Sequence, residues 1–587
     1  MKYLYFFDSL QKHITRLFFL LSLVVNANFL IAQCPGASLY FYNQSDIDQF
    51  IIKYPNCKQV IGDVEINGNQ IINLQGLSNL ESIGGSLTIR NTKITNVNSL
   101  SKLKSLGASA PFGGGLNIEY NSELQNLIGF SSVPSLYAIG IYGNPQLYDL
   151  NGLNNVANLK WIRISSNDAL QNIDALAKTT SLYGLNLISN YSLTNIDGLS
   201  NVTSIEYDAI ITDNPVLTNL NGFTNLINVN GDFDFFSNES LSNLTGLHKL
   251  NRIEKRLHFS GNAMQDFNGL NNLTFVGGGI FVEGNNSLTS FNGFTNLNSI
   301  GSAFEVIDNP KLQNLNGLNN LTNVTAYVRF ENNDLLNDIS SLSKLTTIGT
   351  SLVIYKNNLL PNLNGLNGLN SIGAFLSIFE NASLNNVDGL SNLNSVNGFL
   401  NFRQNPLLTN LNGLNKLSSI NGFLRIENNS SLYDISGLKN INDNTIKVDN
   451  GIQLTIKNNP NVSLCNLPNF CNYLSHPSDT YLREISGNSG QCFTEQDVKN
   501  ACAAMSTTEI SEIKVNVFPN PVQDEFNITS NVIIKNLTIL NVAGQILKKE
   551  IVNSKQYKSN LNSLPKGIYI VRVNAEDKSQ SFKIIKK

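Results

Sequence analysis

Histidine is nearly missing from this chain of 587 residues, with four copies, and charged residues make up only 14% of it. That leaves almost no material for a clustered-imidazole metal site or for a Cys-His or Ser-His-Asp relay. A formal net charge of −3 gives no electrostatic footing for nucleic acid or an anionic membrane. Long apolar runs are lacking too, except in "LFFLLSLVVNANFLIA" after Lys2, Lys12 and Arg16. Small residues before Gln33 predict a secretory signal over 1–32, cut after Ala32. Asn26 and Asn28 interrupt the run, which argues against the alternative of a membrane anchor. Gln33 is a poor residue to precede a lipidated Cys34. Cysteine is absent between Cys57 and Cys465, so Cys34, Cys57, Cys465, Cys471, Cys492 and Cys502 sit only at the two ends. An even number in an exported chain predicts disulfide staples, and without a short C-x-x-C pair the alternative of a zinc site for the last four is weak.

What the chain has in plenty is asparagine, roughly one residue in six, arranged in a repeat. "GSAFEVIDNPKLQNLNGL" (301–318), "NGFLNFRQNPLLTNLNGL" (397–414) and "NGFLRIENNSSLYDISGL" (421–438) are versions of one unit. The Gly or Ser of its "GL" dipeptide recurs sixteen times, from Gly76 and Ser99 to Gly413 and Gly437, with Ala175 in the same place once. The spacing is 23 or 24 residues except after Ser99, where "GASAPFGG" (107–114) is inserted as a loop leaving the coil. Each unit reads L-x-I-x-x-N-x-x-L-x-x-I-x-G-L, as in Leu424, Ile426, Asn429, Leu432, Ile435 and Leu438. Such a unit cannot bury its apolar face alone and must stack on its neighbours, at roughly 4.8 Å per turn. The Asn after each strand, among them Asn167, Asn190, Asn214, Asn238, Asn262, Asn309, Asn381 and Asn405, is expected to point inward and bond backbone of its own and adjacent turns.

The L-x-I-x-x-N core and the period resemble the leucine-rich repeat. More narrowly, the units and their Cys-bearing flanks resemble the receptor-L-domain-like repeat proteins exported by Bacteroidota, over about residues 34–503. The fold expected is mainly β: a leucine-rich-repeat-like parallel β-solenoid of about 16 turns, with disulfide-stapled helical caps and a small C-terminal β-sandwich. "SDIDQFIIKYPNC" (45–57), with Ser45 and Asp48, predicts a capping helix pinned by Cys34 to Cys57; "TEQDVKNAC" (494–502), with Thr494 and Asp497, repeats the device. By analogy with other repeat caps the far pairs are Cys465 to Cys492 and Cys471 to Cys502, one of three possible pairings.

From Glu512 onward 12 Lys or Arg face 6 Asp or Glu, and short alternating strands replace the repeat. Pro519-Asn520-Pro521, Gly567 and Tyr569 in "KGIYIVRV" and the basic "KIIKK" end resemble the type A C-terminal sorting domain of the type IX secretion system. That resemblance implies export across the outer membrane, removal of the domain by the secretion machinery, and release or attachment at the cell surface. The alternative is an ordinary adhesive module. The expected organisation is signal peptide 1–32, N-terminal cap 33–70, solenoid 71–463, C-terminal cap 464–504, linker 505–514 and sorting domain 515–587.

In L-x-I the two apolar residues face the core, so the residue between them and those just outside the motif face solvent on one continuous sheet. The middle row includes Phe281, Arg329 and Arg425. The row before it holds Trp161 and Tyr327, then Phe375, Phe399 and Phe423 on three successive turns; Tyr355 and Phe379 follow on the same face. These ten residues form a candidate binding stripe for a protein or a polysaccharide, unless the rings merely stack on one another and cover the sheet. A second cluster is Asp208, Asp232, Asp234, Arg256 and His258. Its carboxylates suit glycoside cleavage or a weak calcium site, whereas Asp232 opposite Arg256 and Asp234 opposite His258 explain it as cross-strand pairing. The expectation is a non-enzymatic surface or secreted binding protein, in adhesion or nutrient capture, with no cofactor. A polysaccharide-cleaving solenoid and a structural surface-layer component are the alternatives.

Overall fold

A computed structural model describes residues 34–107, 115–447, 452–476, 482–507, 514–575 and 578–587. The signal over 1–32, residues 108–114 of the insertion and residues 508–513 of the linker lie outside the described residues. The chain divides into two compact units, one ending at Cys502 and the other starting at Ala503.

The first unit is a solenoid. Its outer face is a sheet of 19 strands, with parallel pairing from each turn to the next, as where Leu400–Arg403 pairs with Leu424–Glu427. Sixteen strands belong to the sixteen "GL" marks; Leu39–Phe41, Ile452–Lys457 and Leu482–Ser486 add three rungs beyond them. The sheet therefore reaches into both expected caps. Two-residue strands such as Ser419–Ile420 pair in a second ladder, of 11 strands.

The unit 421–438 shows why the repeat closes. Leu424 and Ile426 point inward and are fully buried, while Arg425 and Glu427 point out. Asn428 then turns the chain in the left-handed region (φ 58°), as the residue before each inward Asn does throughout. Asn429 donates Nδ2 to the Phe402 carbonyl (3.0 Å) and to Asn459 Oδ1 (3.2 Å), and its N–H goes to the same Oδ1 (3.0 Å). The ladder starts from Thr92 and runs through sixteen buried asparagines, from Asn121 to Asn488. It satisfies the backbone groups that a buried corner leaves orphaned. At Gly437 a Cβ would come 2.0 Å from the Leu411 carbonyl oxygen, so turns approach too closely there for a side chain. Ser341 fills the same mark by donating its Oγ to the Leu315 carbonyl, 2.7 Å away.

Helix α1 (Gln44–Lys53) covers the first turn, and Cys34–Cys57 pins it. Its cap is two residues earlier than the sequence suggested: Asn43 Oδ1, not Ser45, accepts the Asp46 N–H, and Asp46 accepts from the Tyr42 N–H. Ser-x-x-Asp and Asn-x-x-Asp overlap here, and since Asn and Ser cap about equally well the residue types alone do not choose between the two registers. At the far end α2 (Pro468–Ser475), not expected from sequence, precedes α3 (Glu495–Thr507). Thr494 and Asp497 form the reciprocal box expected of them. Cys465–Cys492 and Cys471–Cys502 complete the cap.

The second unit is one antiparallel sheet of five strands rather than two separate sheets. The long strand Glu525–Asn541 shifts register between Thr529 and Asn536. Its first half pairs with Val515–Phe518 and its second half with Gly567–Ala575. Phe526, Ile528, Leu537, Ile539, Val571 and Ile584 form its core.

Candidate functional site

On the outer face of the solenoid the side chains alternate with the buried Leu and Ile, so their chemistry is free to vary from turn to turn. Phe375, Phe399 and Phe423 stack face to face along the sheet, at 4.4 Å and within 8° of parallel. Tyr355 and Phe379 stack likewise at 4.2 Å, with the Lys356 ammonium 4.9 Å from the Tyr355 ring and the Arg403 guanidinium 5.4 Å from Phe379. All five rings are half-buried. Both faces of Phe399 are therefore taken by its neighbours, and the stack offers edges to a partner.

The other candidates do not join this stripe. Tyr327 gives its hydroxyl to Glu305, and burial together with that carboxylate pushes the phenol up to about 12. Arg329 is held by Glu331 and Arg425 by Glu427, each two residues on along its own strand. Phe281 lies beside His258, 5.5 Å away. Trp161 is nine rungs from Phe375. Its indole lies flat on Gly184, where a Cβ would come 2.2 Å from the ring, and stacks on Tyr207 at 5.7 Å. Tyr207 and Tyr183 pack edge to face (6.1 Å), as do Tyr183 and Tyr137 (6.2 Å). Tyr137, Tyr183 and Tyr207 come from the row one residue further out, which the L-x-I pattern does not mark. Aromatic residues in three of those places beside a Trp were the available signal.

In the charged cluster Arg256 pairs with Asp232 as expected, but a closer pair is added and the expected Asp234–His258 pair does not form. Arg256 reaches diagonally to Asp234, Nε to Oδ1 at 3.0 Å and Nη2 to Oδ2 at 2.5 Å, and sits 3.4 Å from Asp232. Asp234 is 1% exposed, and burial raises its carboxyl despite the guanidinium. Asp208 and Asp232 accept the N–H of Asp232 and Arg256 on the following turns. His258, opposite Asp234 in register, is instead enclosed by Phe236 (4.6 Å) and Phe281, and burial lowers its imidazole to about 4. Its Nε2 lies 3.6 Å from a Glu283 carboxylate. Among the described residues no group of three His, Cys, Asp or Glu is placed to hold a metal ion.

In the second unit, Asn520 bonds the last strand twice, Nδ2 to the Lys583 carbonyl (2.6 Å) and Oδ1 from the Ile585 N–H (2.9 Å). Pro519 and Pro521 flank it. Gly567 opens the strand opposite Lys586, and the Tyr569 hydroxyl donates to the Pro565 carbonyl at 2.5 Å. The Lys586 ammonium is buried against the carbonyls of Leu561 (2.7 Å) and Leu564 (2.8 Å). The motif residues thus tie the end of the chain to the start of the domain. A family model for secretion system C-terminal sorting domains matches residues 516–587. The tail is a sorting domain. Such a tail directs export by type IX secretion, to the cell surface or the outside, and engages that machinery. A Receptor L domain model matches residues 56–150, the first turns of the solenoid. No curated protein matches the chain. No helix among the described residues is long and apolar enough to cross a membrane.

Proposed function

We propose that the chain is a non-enzymatic binding protein of the cell surface or the medium, whose solenoid face engages a protein or polysaccharide in adhesion or nutrient capture. A signal peptide over 1–32 starts its delivery. The observation that carries this reading is the contrast between the two sides of one strand: inward positions repeat almost without change, while the outward row runs through rings, cations and carboxylates over nineteen rungs. A uniform structural rod needs no such variation, and a recognition surface does. The Receptor L match over the first turns supports it.

Catalysis by Asp208, Asp232 and Asp234 is disfavoured by their engagement: Asp234 is closed off by Arg256, and the other two accept backbone N–H groups. The exported protein, screened against polysaccharides and extracellular matrix proteins, should bind at least one and release no reducing ends. Reducing ends lost on Asp234→Asn would replace this reading with a hydrolase. Unchanged binding in Phe399→Ser plus Phe423→Ser would remove the Phe stack from the surface used. Deletion of 515–587 should leave the protein in the periplasm.

A further inference from the structure

The outer face neutralises most of its cations locally: Arg90 pairs with Glu65, Arg256 with Asp234, Arg329 with Glu331, Arg425 with Glu427 and Lys457 with Glu484. Lys160 and Arg163 have no carboxylate partner among the described residues. Arg163 is followed two residues on by Ser165, not Glu, and is exposed. Both cations lie on rings, Arg163 4.9 Å from the Trp161 centroid and Lys160 5.7 Å from Tyr183. The Lys160 ammonium donates to Ser181 Oγ at 2.7 Å, which holds it in place without cancelling its charge.

Beneath them, four consecutive rungs each supply one ring: Tyr137, Trp161, Tyr183 and Tyr207. Tyr183 is 37% and Tyr207 55% exposed, in contrast to the half-buried Phe stack. Gly184 under the indole sets the tryptophan flat. A row of rings repeated at the rung spacing suits a polymer that presents the same apolar ring face unit after unit, and unpaired cations beside it suit a negative charge on those units.

We propose that Tyr137, Lys160, Trp161, Arg163, Tyr183 and Tyr207 form a binding site for an acidic polysaccharide, with sugar faces on the aromatic row and carboxylate or sulfate groups on the two cations. This rests on the binding reading above and names its ligand class and place.

The test titrates the full-length exported protein with soluble polygalacturonate, dextran sulfate and uncharged dextran. Both acidic polymers should bind and dextran should not, and binding should weaken as salt rises. Tyr207→Ser, at an exposed ring, should weaken it about tenfold, and Arg163→Gln by a similar factor, about 1.4 kcal/mol each, with melting temperatures unchanged. Gly184→Val, which tilts the indole but alters no charge, should weaken it too. Acidic glycan binding that survives all three substitutions, or equal binding of dextran, overturns the proposal. If neither acidic polymer binds while an extracellular matrix protein does, this site assignment fails and the binding reading stands; if no ligand of either kind binds, both fail.

Discussion

Two aromatic groups share one sheet and use their rings in opposite ways. In the turns from Phe375 to Phe423 the rings face each other at 4.4 Å and consume their own faces. In the turns from Tyr137 to Tyr207 a glycine lets the indole lie down, and the tyrosines meet edge to face, with Tyr183 and Tyr207 more exposed than the Phe rings. Backbone and register are the same in both places. Aromatic content alone therefore says little about a binding surface; the size of the neighbour on the adjacent rung decides which face is left over.

Both groups ride on one sheet, and a change at its inner corner should cost the most. Asn190 lies behind the Tyr183 rung and Asn405 behind the Phe399 rung, each fully buried. Asn190 Nδ2 donates to the Ile164 carbonyl (3.1 Å), and its Oδ1 accepts from Asn167; Asn405 does the same with Ile378 and Asn381. Leucine at either site orphans several buried groups at roughly 1–3 kcal/mol each. Denaturant unfolding should show similar losses of several kcal/mol for Asn190→Leu and Asn405→Leu. A clear inequality would mean that the two stretches of solenoid differ beneath their surfaces.

Between the groups lies the charged stretch, which should respond to pH where they do not. An unfolded His258 takes up a proton near pH 6.5, the folded one only at about 4. Between those values the unfolded chain binds more protons, so stability is full above the unfolded value and falls as the pH drops through it. The contribution lost is roughly 3 kcal/mol at its limit. Asp234, raised by burial, acts with the opposite sign at the acid end. His258→Gln should flatten the acid limb of stability against pH; an unaltered limb would show that this imidazole does not drive it.

Loss of a single ring should cost less. Phe399→Ala removes the middle of a stack and should cost about 1–3 kcal/mol, whereas Tyr207→Ala, at a ring 55% exposed, should cost under about 1 kcal/mol. Equal losses would contradict the different packing.

The inner corner was legible in the sequence because physics leaves one residue to do it: a side chain short enough to turn back on the bend, with a donor and an acceptor, recurs as Asn at the strand's end. The outer face was only half legible. Trp161 stood out, but Tyr137, Tyr183 and Tyr207 lie two places before L-x-I, and nothing in the sequence marks Gly184 as a platform for the indole. Arg329 and Arg425 read as candidate binding residues, although a Glu two residues along the strand lies on the same face and pairs with each, which a turn-by-turn reading of single rows overlooks. Helix α2 was missed although Phe470, Tyr473 and Leu474 lie at helical spacing, because its eight residues are too few for that period to stand out.

Changes at the left-handed residue before each inward Asn should cost least. Gln404, behind the Phe stack, holds φ 55° there, while Gly284, in the turns between the groups, holds 61°. A Cβ at Gly284 would meet nothing within 4 Å, so the change to Ala tests conformation alone. At Gly143, near the tyrosines, a Cβ would come 2.6 Å from the Tyr120 ring. A side-chain-bearing residue in this region carries strain on the order of 1 kcal/mol relative to glycine, after allowing for the greater freedom of glycine in the unfolded chain. Gln404→Gly should therefore stabilise by about 1 kcal/mol and Gly284→Ala destabilise by about as much, with Gly143→Ala worse than either because a ring must also move. Hydrogen exchange of the flanking amides reads such local changes in a long array better than a single melting temperature does. Equal costs at Gly284 and Gly143 would show that the Tyr120 ring yields freely.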